Sequence, residues 1–305
     1  MSLRPKDPQR LVDRVLVANL VLEVFIVVTG GIVRVTRSGL GCPTWPRCTA
    51  SSFVPVAGQS QGFHKFIEFG NRTLTGVVSV AAILVAAAIL HYARERTSLR
   101  RLAFLPLLGV LLQAVIGGIS VRMKLSPVVV SLHMLASMVL VALSAYLLAR
   151  YREGDGEPVP VVRSEVTWLA RTDALLGAGV IVLGTIVTGT GPHSGDIHVK
   201  RYPFDPRSAS WLHADLVMLF LGIAVAVWLG ARLADDARAR SAWHAVLIVT
   251  VLQGVLGYVQ YFTKLPVVLV VAHMLGASLL VVALTFGVLA LRRRGPAVQA
   301  ASADR

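Results

Sequence analysis

The sequence predicts an all-α integral membrane protein with eight transmembrane helices, arranged as two pseudo-symmetric four-helix bundles in parallel repeat. Of its 305 residues, 55% are hydrophobic and only 15% are charged, whereas about a quarter of the residues of a soluble domain are charged. A helix that crosses a bilayer needs about 20 mostly apolar residues. Eight runs of about that length occur, at residues 12–33, 70–90, 102–121, 127–149, 167–189, 211–231, 242–262 and 266–291.

An internal repeat divides these eight spans into two sets of four. Residues 111–137 resemble residues 251–278, and His133 aligns with His273 at a separation of 140 positions. Because four is an even number, both halves are expected to cross the membrane in the same sense, as in other parallel repeats. The predicted units are an N-terminal half at 1–150, with a long outer loop at 34–66, and a C-terminal half at 151–305.

The basic residues predict how the protein is oriented. The formal net charge is +14, and 19 of the 30 Lys and Arg residues fall on the same side of the predicted spans as both chain ends. Cytoplasmic loops carry an excess of Lys and Arg, so we expect a multi-pass protein of the cell membrane with cytoplasmic N- and C-termini. The basic charge is then expected to face membrane lipid, and no nucleic-acid partner is expected.

Three histidines fall inside predicted spans away from their cytoplasmic ends, where ionisable side chains are costly and usually functional. His133, His213 and His273 are all predicted in the outer third of a helix. His213 and His273, on alternate helices of the second half, suit bis-histidine ligation of heme iron. The alternative is a buried pair bonded to the backbone or to each other. Zinc would need more nitrogen, sulfur or carboxylate ligands nearby. The outer-loop residues His193 and His198 are expected to be solvated.

The first half departs from this symmetry, because Asn71 aligns near His213. His64 and Glu68 precede Asn71 on the same predicted helical face. Glu68 is a candidate proton acceptor, but it could equally pair with Arg72 at i,i+4 or with His64. Arg72, like other arginines at outer helix ends, could bind a heme propionate or a lipid phosphate, and the sequence does not choose between these alternatives.

Other polar features lie in the first half. Cys42 and Cys48 are the only cysteines, and both lie in the first outer loop. That loop is expected to face an oxidising compartment, where disulfides persist, so a disulfide is predicted, with two free thiols as the alternative. Glu23, in the middle of the first span, could line a pocket or be hydrogen-bonded internally.

Several motifs resemble the heme A synthase family of bacteria and mitochondria. They are TGGIVRVTRSGLGCPTWPRC, IEFGNRTLTG, LHMLAS and AHMLGAS, and the resemblance covers nearly the whole chain. That family oxidises a ring methyl group of heme O to a formyl group, giving heme A for heme–copper oxidases, with water as the expected oxygen source. The resemblance implies a resident heme b on His213 and His273, substrate heme O on His133 in the first half, and catalysis by Glu68. It also matches Cys42 and Cys48 to the family's first-loop cysteine pair.

Two positions depart from the family pattern. The family has a histidine three residues after the glutamate, where this chain has Asn71, so heme O is expected on His133 alone or with His64 recruited. The outer loop at 191–210 also lacks the cysteines that some relatives carry there.

Partners and rival functions follow from the same pattern. The resemblance implies heme O synthase and cytochrome oxidase assembly factors as partners, a quinone as candidate electron acceptor, and a candidate homo-oligomer. One rival function is a di-heme b electron-transfer protein. Another is a transporter, since repeats with polar residues at mid-membrane are typical of transporters. The histidines lie near one face and no span is broken at its middle, which disfavours transport.

Overall fold

The computed structural model describes residues 7–193, 195–196 and 198–295. Within them, eight helical spans are long and apolar enough to cross a membrane, which confirms the predicted fold class. The elements are α1 (Pro8–Val35), α2 (His64–Tyr92), α3 (Thr97–Leu102), α4 (Leu105–Arg122), α5 (Pro127–Arg152), β1 (Pro158–Pro160), α6 (Ser164–Thr190), α7 (Pro206–Leu233), α8 (Ala237–Phe262), α9 (Val267–Ala290) and β2 (Arg292–Arg294).

Most of the helices extend beyond the apolar runs that predict them, because polar residues outside those runs begin or continue the helix. At α1, α7 and α8 the side chains of Asp7, Asp205 and Asp236 accept hydrogen bonds from the first free backbone N–H groups, as N-cap residues do. Helix α2 begins at His64, six residues before its apolar run. The early start of α2 places polar residues on a rigid helix at the membrane boundary.

The third span is interrupted near its beginning. Helix α3 ends at Leu102 and α4 begins at Leu105, with Pro106 in its first turn. Proline lacks a backbone N–H and is tolerated in a first turn but not in a helix interior. A continuous helix through this point would therefore lose a hydrogen bond, and the span is divided into a short and a long helix.

The same helix packing occurs in both halves. In the first half, α1 and α4 each pack against both α2 and α5, which occupy opposite corners; in the second half, α6 and α8 do the same with α7 and α9. Between the halves, α1 packs on α9, α5 on α6, and α5 on α9. Helix α1 of the first half corresponds to α6 of the second half, and α5 corresponds to α9. If each of these helices is replaced by its counterpart, the same set of contacts between the halves is obtained. The two bundles are therefore related by a pseudo-two-fold axis, as predicted.

Two hydrogen bonds show the repeat at atomic detail. Gln113 on α4 donates from Nε2 to the carbonyl oxygen of His133 on α5, at 3.1 Å. Gln253 on α8 donates in the same way to the carbonyl oxygen of His273 on α9, at 2.9 Å. Each glutamine thus fixes the height of a histidine-bearing helix against its neighbour.

The turns that precede these two histidines are also equivalent. Lys124 and Leu125 have φ values of 49° and 57°, and Lys264 and Leu265 have φ values of 63° and 60°. Non-glycine residues seldom adopt this left-handed conformation. Its presence at both turns means that the two halves reverse the chain in the same way before each histidine.

The connections separate into two faces of the molecule. The disulfide face carries residues 36–63, 123–126, 263–266 and the described part of 191–205. The basic face carries residues 93–96, 153–163 and 234–236, and it holds a two-stranded antiparallel ribbon in which Pro158–Pro160 pairs with Arg292–Arg294. The ribbon joins the linker between the halves to the segment that follows α9.

A buried carboxylate organises the basic face. Glu153, whose side chain is 2% exposed, lies 3.0 Å from the guanidinium of Arg150 on α5. Arg238 on α8 lies at 3.6 Å, and Arg292 and Arg294 on β2 both lie at 3.7 Å. One acidic residue of the linker is therefore surrounded by arginines from both halves.

Candidate functional site

The three histidines of the spans lie within the first two turns of α5, α7 and α9, close to the disulfide face. All three are half-buried, and each imidazole lies against a glycine of the preceding long helix. A Cβ built on these glycines would lie 3.3 Å from Cε1 of His133 at Gly117, 3.4 Å from Cε1 of His213 at Gly184, and 3.6 Å from Cε1 of His273 at Gly257. The lack of a side chain at these glycines lets each ring approach the backbone of the neighbouring helix.

In the second half the two imidazoles come from opposite corners of the bundle. His213 lies on α7 and His273 on α9, and both helices pack against α6 and α8. Nδ1 of His273 is buried and has no hydrogen-bond partner among the described residues. Two half-buried imidazoles, each beside a glycine and carried on opposite corners of one bundle, fit ligation of heme iron. This part of the chain therefore has a donor set that suits heme b.

A bare metal ion is a poorer match to the donors. Among residues 7–193, 195–196 and 198–295, no three His, Cys, Asp or Glu side chains are grouped so that they could hold one. Structural zinc sites use four such ligands, and catalytic sites use three. Two histidines alone suit an iron whose remaining ligands come from a porphyrin ring.

In the first half, the residues that the sequence grouped on one face of α2 take different partners. His133 lies on α5 against Gly117, and its Nδ1 is buried without a partner in the described chain. Asn71 accepts a hydrogen bond at Oδ1 from the Thr29 hydroxyl of α1, at 2.7 Å. His64 is exposed at the first position of α2 and hydrogen-bonds to Ser38 Oγ at 2.9 Å. Only His133 resembles the histidines of the second half in its surroundings.

Glu68 joins α2 to the loop that contains the disulfide. Its side chain is buried, and its Oε2 accepts a hydrogen bond from the backbone N–H of Cys42 at 2.6 Å. Arg72 donates to Oε1 from Nε at 3.0 Å and from Nη2 at 2.5 Å. The i,i+4 pair that was one of the sequence-based alternatives is therefore present, with a second bond to the loop.

Arg72 and the disulfide hold the same loop over the end of the first half. Cys42 and Cys48 are bonded with an S–S distance of 1.99 Å, which confirms the predicted disulfide. Arg72 also donates to the carbonyl oxygens of Cys42 at 2.8 Å and Thr44 at 2.9 Å. Its guanidinium therefore holds backbone groups of the loop as well as Glu68.

Trp45, at the centre of the disulfide loop, was not singled out by the sequence. Its indole packs against Gly118 on α4, next to the Gly117 that faces His133. Arg122 donates to the Trp45 carbonyl oxygen at 3.2 Å and lies over the indole ring. The loop therefore covers the end of the bundle beside His133. In the sequence, the glycine pair 117–118 was the feature that could have indicated this close packing on α4.

The expectation for one outer-loop histidine is wrong. His193 is half-buried, and its Nε2 contacts the Leu265 carbonyl oxygen at 2.9 Å. Its own carbonyl accepts from Nε of Arg34 at 2.7 Å. His193 thus joins the end of α1 to the turn before α9, whereas His198 is exposed as expected.

Two buried carboxyl groups stand apart from these contacts. Glu23 on α1 is 3% exposed and Asp173 on α6 is fully buried. In the described chain, Oε1 of Glu23 and both oxygens of Asp173 have no hydrogen-bond partner. Glu23 was recognised in the sequence as a polar residue inside a span, and Asp173 was not.

Fold and site together define a multi-pass membrane protein of two related four-helix halves, with imidazoles placed near one face of each half. A family comparison then gives a more specific assignment. The model of the COX15-CtaA family, described as cytochrome oxidase assembly protein, matches residues 13–193. This chain belongs to that family.

Individual relatives match across both halves. Heme A synthase of Bacillus licheniformis is 24% identical over 278 residues, which cover 84% of this chain and 88% of the relative. Heme A synthase of Symbiobacterium thermophilum is 28% identical over 270 residues, covering 81% and 87%. Heme A synthase of Lysinibacillus sphaericus is 24% identical over 283 residues, covering 87% and 90%. The similarity therefore includes the second half beyond the span of the family match.

Proposed function

We propose that this protein is a heme A synthase, an enzyme that oxidises a ring methyl group of heme O to the formyl group of heme A. The observation that carries the proposal is the similarity, over both halves, to relatives with that name. The donor set supports it, because imidazoles beside glycines occur in each half of a family member. We further propose that the heme A serves the assembly of heme–copper oxidases.

The second half would hold heme b on His213 and His273. The two residues come from opposite corners of one bundle, and a glycine lies beside Cε1 of each ring. A bound heme would supply one-electron redox chemistry. The residues of this chain position the imidazoles, and the Gln253 bond to the His273 carbonyl sets the height of α9.

The first half would bind heme O as substrate through His133. Asn71 takes the place of a second histidine, and its amide oxygen is already occupied by the Thr29 hydroxyl. A neutral amide is a poor iron ligand compared with imidazole. Weaker ligation suits a substrate that must enter and leave, and His64 would have to break its Ser38 contact to act as a second ligand.

The proposed reaction takes its oxygen from water. The methyl group and one water give a hydroxymethyl group with release of two electrons and two protons. A second water and a further loss of two electrons and two protons give a geminal diol, which loses one water to leave the aldehyde. In total, four electrons and four protons leave the substrate, and a membrane quinone is the proposed acceptor for the electrons.

Glu68 is the proposed acceptor for protons released at the methyl group. It is a buried carboxylate on the same helix as Asn71, one turn nearer the disulfide face. A positioned carboxylate within reach of the reacting group can accept protons as a general base. Its bonds to Arg72 and Cys42 would keep it in one orientation while the substrate is bound.

The test separates this chemical role from the support that Glu68 gives to the loop. The variants Glu68→Gln and Glu68→Ala would be purified and their hemes extracted with acid–acetone and resolved by chromatography. Glutamine retains an oxygen that can accept from Cys42 but cannot take up a proton, so we expect heme O without heme A. The exposed Glu95 provides the matched control, Glu95→Gln. Undiminished heme A in Glu68→Gln would remove Glu68 from the mechanism.

The equivalence of His133 and His273 also favours a second candidate, a di-heme b electron-transfer protein. Both histidines lie against a glycine and have a glutamine bonded to their carbonyl. That function predicts two b-type hemes and neither heme O nor heme A in the same extraction. A colourless purified protein would instead favour the transporter alternative.

Location and partners belong to the same proposal. We place the protein in the cell membrane with the basic face, and hence both termini, toward the cytoplasm, because cytoplasmic segments are enriched in Lys and Arg. Heme O synthase would supply the substrate, and cytochrome oxidase assembly factors would receive the product. A homo-oligomer is compatible with the many exposed apolar side chains, which the bilayer would also cover.

A further inference from the structure

Two grooves lie on the basic face, one in each half. The first, of about 400 Å³, lies where α2 ends and α3 begins, and the second, of about 360 Å³, lies where α7 ends and α8 begins. We call them groove A and groove B. Groove A is lined by Leu90, Thr97, Arg100, Arg101 and Phe104. Groove B is lined by Trp228, Arg232, Ala237, Arg240, Ser241 and His244.

The grooves are equivalent positions of the internal repeat. Four positions that line groove A correspond to positions that line groove B, at the separation of 140 residues that also relates His133 to His273. The pairs are Thr97 with Ala237, Arg100 with Arg240, Arg101 with Ser241, and Phe104 with His244. Each groove has two arginines and a hydroxyl group, and an aromatic ring stands at the equivalent positions 104 and 244. Arg100 and Arg240 are equivalent, whereas the second arginine and the hydroxyl group come from non-equivalent positions in the two grooves. Both halves thus preserve the same kind of basic groove.

The arginines of the grooves lack the counter-ions that several other arginines of this face have. Arg96 is paired with Asp155, and Arg150 with Glu153. In contrast, the four groove arginines have no ion pair or side-chain hydrogen bond within the described chain; they are Arg100, Arg101, Arg232 and Arg240. All four are exposed. Each groove therefore presents two uncompensated positive charges.

The polar groups of groove B are mainly hydrogen-bond donors. Guanidinium groups only donate, and so does the indole N–H. Nε1 of Trp228 has no acceptor among the described residues, and Arg232 lies over the indole ring at 5.7 Å. Ser241 adds a hydroxyl group. Arginines suit the oxygen atoms of a phosphate because of their planar, multiple donors.

The surroundings indicate that the anion also carries hydrocarbon chains. Helix α7 ends at Leu233 and α8 begins at Ala237, so groove B lies at the ends of two spans, where lipid headgroups are found. Leu233 is 87% exposed and Leu229 is 45% exposed beside it, and Phe104 of groove A is 45% exposed. Tryptophan is enriched at this level of the membrane. A free phosphate would leave these apolar surfaces uncovered.

We propose that grooves A and B each bind the phosphate of one anionic phospholipid molecule. The two arginines of a groove contact the phosphate, and the acyl chains lie along the exposed apolar side chains. Basic pockets at helix ends on the cytoplasmic side are known sites for acidic lipid headgroups. The proposal does not depend on the heme chemistry, since neither groove contains a residue of the histidine sites.

The test is native mass spectrometry of the purified full-length protein in detergent, titrated with phosphatidylglycerol. We expect two molecules to bind tightly. In the double variant Arg232→Gln, Arg240→Gln, the affinity of groove B for the lipid should be about 30-fold weaker, because each basic residue near an acidic lipid contributes about a factor of five. In the double variant Arg100→Gln, Arg101→Gln, the affinity of groove A should be weakened by the same factor. Each variant should therefore retain one tightly bound lipid. Lysine at the same four positions should retain most of the binding.

Controls define the outcomes that would overturn the proposal. The double variant Arg14→Gln, Arg171→Gln removes two exposed charges of the same face outside the grooves, and it should bind both lipids as the wild type does. Thermal unfolding of each variant checks that it is folded. Equal affinity for phosphatidylcholine, equal losses in the control variant, or unchanged binding when all four groove arginines are glutamine would each contradict the proposal. Displacement by inorganic phosphate at equal concentration would show that the grooves recognise free phosphate instead.

Discussion

At the scale of single residues, Asn71 distinguishes the two halves. Its amide oxygen accepts from Thr29, which lies in the sequence VVTGG at 27–31. Thr188 has the same place in the similar sequence IVTGTG at 186–191, and it donates to the carbonyl oxygen of Gly184 in its own helix at 2.7 Å. Gly184 is the residue beside His213. The same threonine therefore orients an amide in one half and supports the helix beside an imidazole in the other.

Replacing Asn71 with histidine should make the ligand set of the first half more similar to that of the second half. In the variant Asn71→His an imidazole would be available as an additional iron ligand, so we expect the substrate heme to dissociate at least about tenfold more slowly, which corresponds to about 1.4 kcal/mol. Stopped-flow transfer of heme to apomyoglobin measures this rate. Thr29→Val, which removes only the hydroxyl group, is the control, and an equal effect in both variants would show that ligation is not the cause.

Asp236 gives a second residue-scale prediction, concerning pH. The pKa of this carboxyl group is lowered, chiefly because the backbone N–H of Ala239 donates to it, while partial burial opposes the shift and Arg293 supports it. A lowered pKa in the folded state stabilises the protein above the unfolded-state pKa, and that contribution is lost as the pH falls through the folded-state pKa. Asp236→Ala should lower the free energy of unfolding by about 1 kcal/mol at pH 7.

The difference between wild type and Asp236→Ala should shrink below about pH 4, because the unperturbed aspartate titrates near that value. Thermal unfolding in detergent at several pH values measures it. Asp236→Asn retains an oxygen that can cap α8 but does not titrate, so it should remain close to the wild type at pH 7. A pH-independent difference between wild type and the alanine variant would contradict the assignment.

Sequence reasoning found the histidines of the site more readily than it found their surroundings. A polar residue within an apolar run can be identified from the sequence alone, so His133, His213 and His273 could be recognised. The hydrogen bond from Cys42 to Glu68 could not be predicted, because Cys42 lies in a loop whose path does not follow from the periodicity of the sequence. The i,i+4 spacing predicted the bond from Arg72 but left its importance open.

At the scale of elements, the disulfide loop is the most tightly held connection of the first half. Its anchors are a covalent bond of sequence separation 6, the buried Glu68, and Arg72. Trp45 packs on α4 from the same loop. The loop is therefore tied to two helices and closes the end of the bundle beside His133.

Removal of the disulfide should loosen this cover. For the double variant Cys42→Ser, Cys48→Ser, closing so short a loop predicts a loss of roughly 2 kcal/mol in the free energy of unfolding. We also expect a lower yield of heme A, since Glu68 would lose a fixed neighbour. Thermal unfolding and heme extraction measure both effects. Wild-type protein treated with dithiothreitol should behave like the variant, and no effect of either treatment would mean that Glu68 and Arg72 hold the loop alone.

The helices themselves were largely predictable, and their ends were not. Apolar runs gave the existence of all eight spans because the bilayer imposes their length. The start of α2 at His64 was missed by six residues, since helix propensity continues into polar sequence that hydropathy does not register. The break before Leu105 followed from Pro106, a signal that was present but hidden within an apolar run.

At the scale of the whole molecule, the two bundles are joined differently on their two faces. On the disulfide face, Arg34 of the first half donates to the carbonyl oxygen of His193 in the second half, and the His193 ring contacts Leu265 within its own half. On the basic face, Glu153 holds arginines from α5, α8 and β2. The buried ion cluster is thus the main polar connection on the cytoplasmic side of the proposed orientation.

Breaking this cluster should destabilise the entire fold. Glu153→Ala would leave Arg150, which is 4% exposed, with only the more distant carboxylate of Asp155 at 3.8 Å. Removing one member of a buried ion pair typically costs about 3–5 kcal/mol, and we expect a matching decrease in the thermal unfolding temperature. The pair Arg94–Glu95 is exposed, so Glu95→Ala should change stability by less than about 1 kcal/mol. Similar effects in both variants would contradict a structural role for Glu153.

The ribbon on the basic face could not be predicted from the sequence. Its strands are only three residues long, Pro158–Pro160 against Arg292–Arg294, and neither alternates between polar and apolar residues. Two prolines and three arginines carry no strand signal by composition. The pairing arises from the packed bundles, which bring the linker and the end of α9 together.

That ribbon also sets an order in which the protein can be completed during synthesis. Arg294 donates to the carbonyl oxygen of Gly156 at 3.0 Å across 138 residues of chain. The linker therefore leaves the ribosome long before its partner strand, and four further helices must enter the bilayer in between. Until β2 emerges, Glu153 has arginines of α5 and α8 but none from the ribbon. Pairing of the last described strand is consequently the closing step of assembly, after His133, His213 and His273 are already in the membrane.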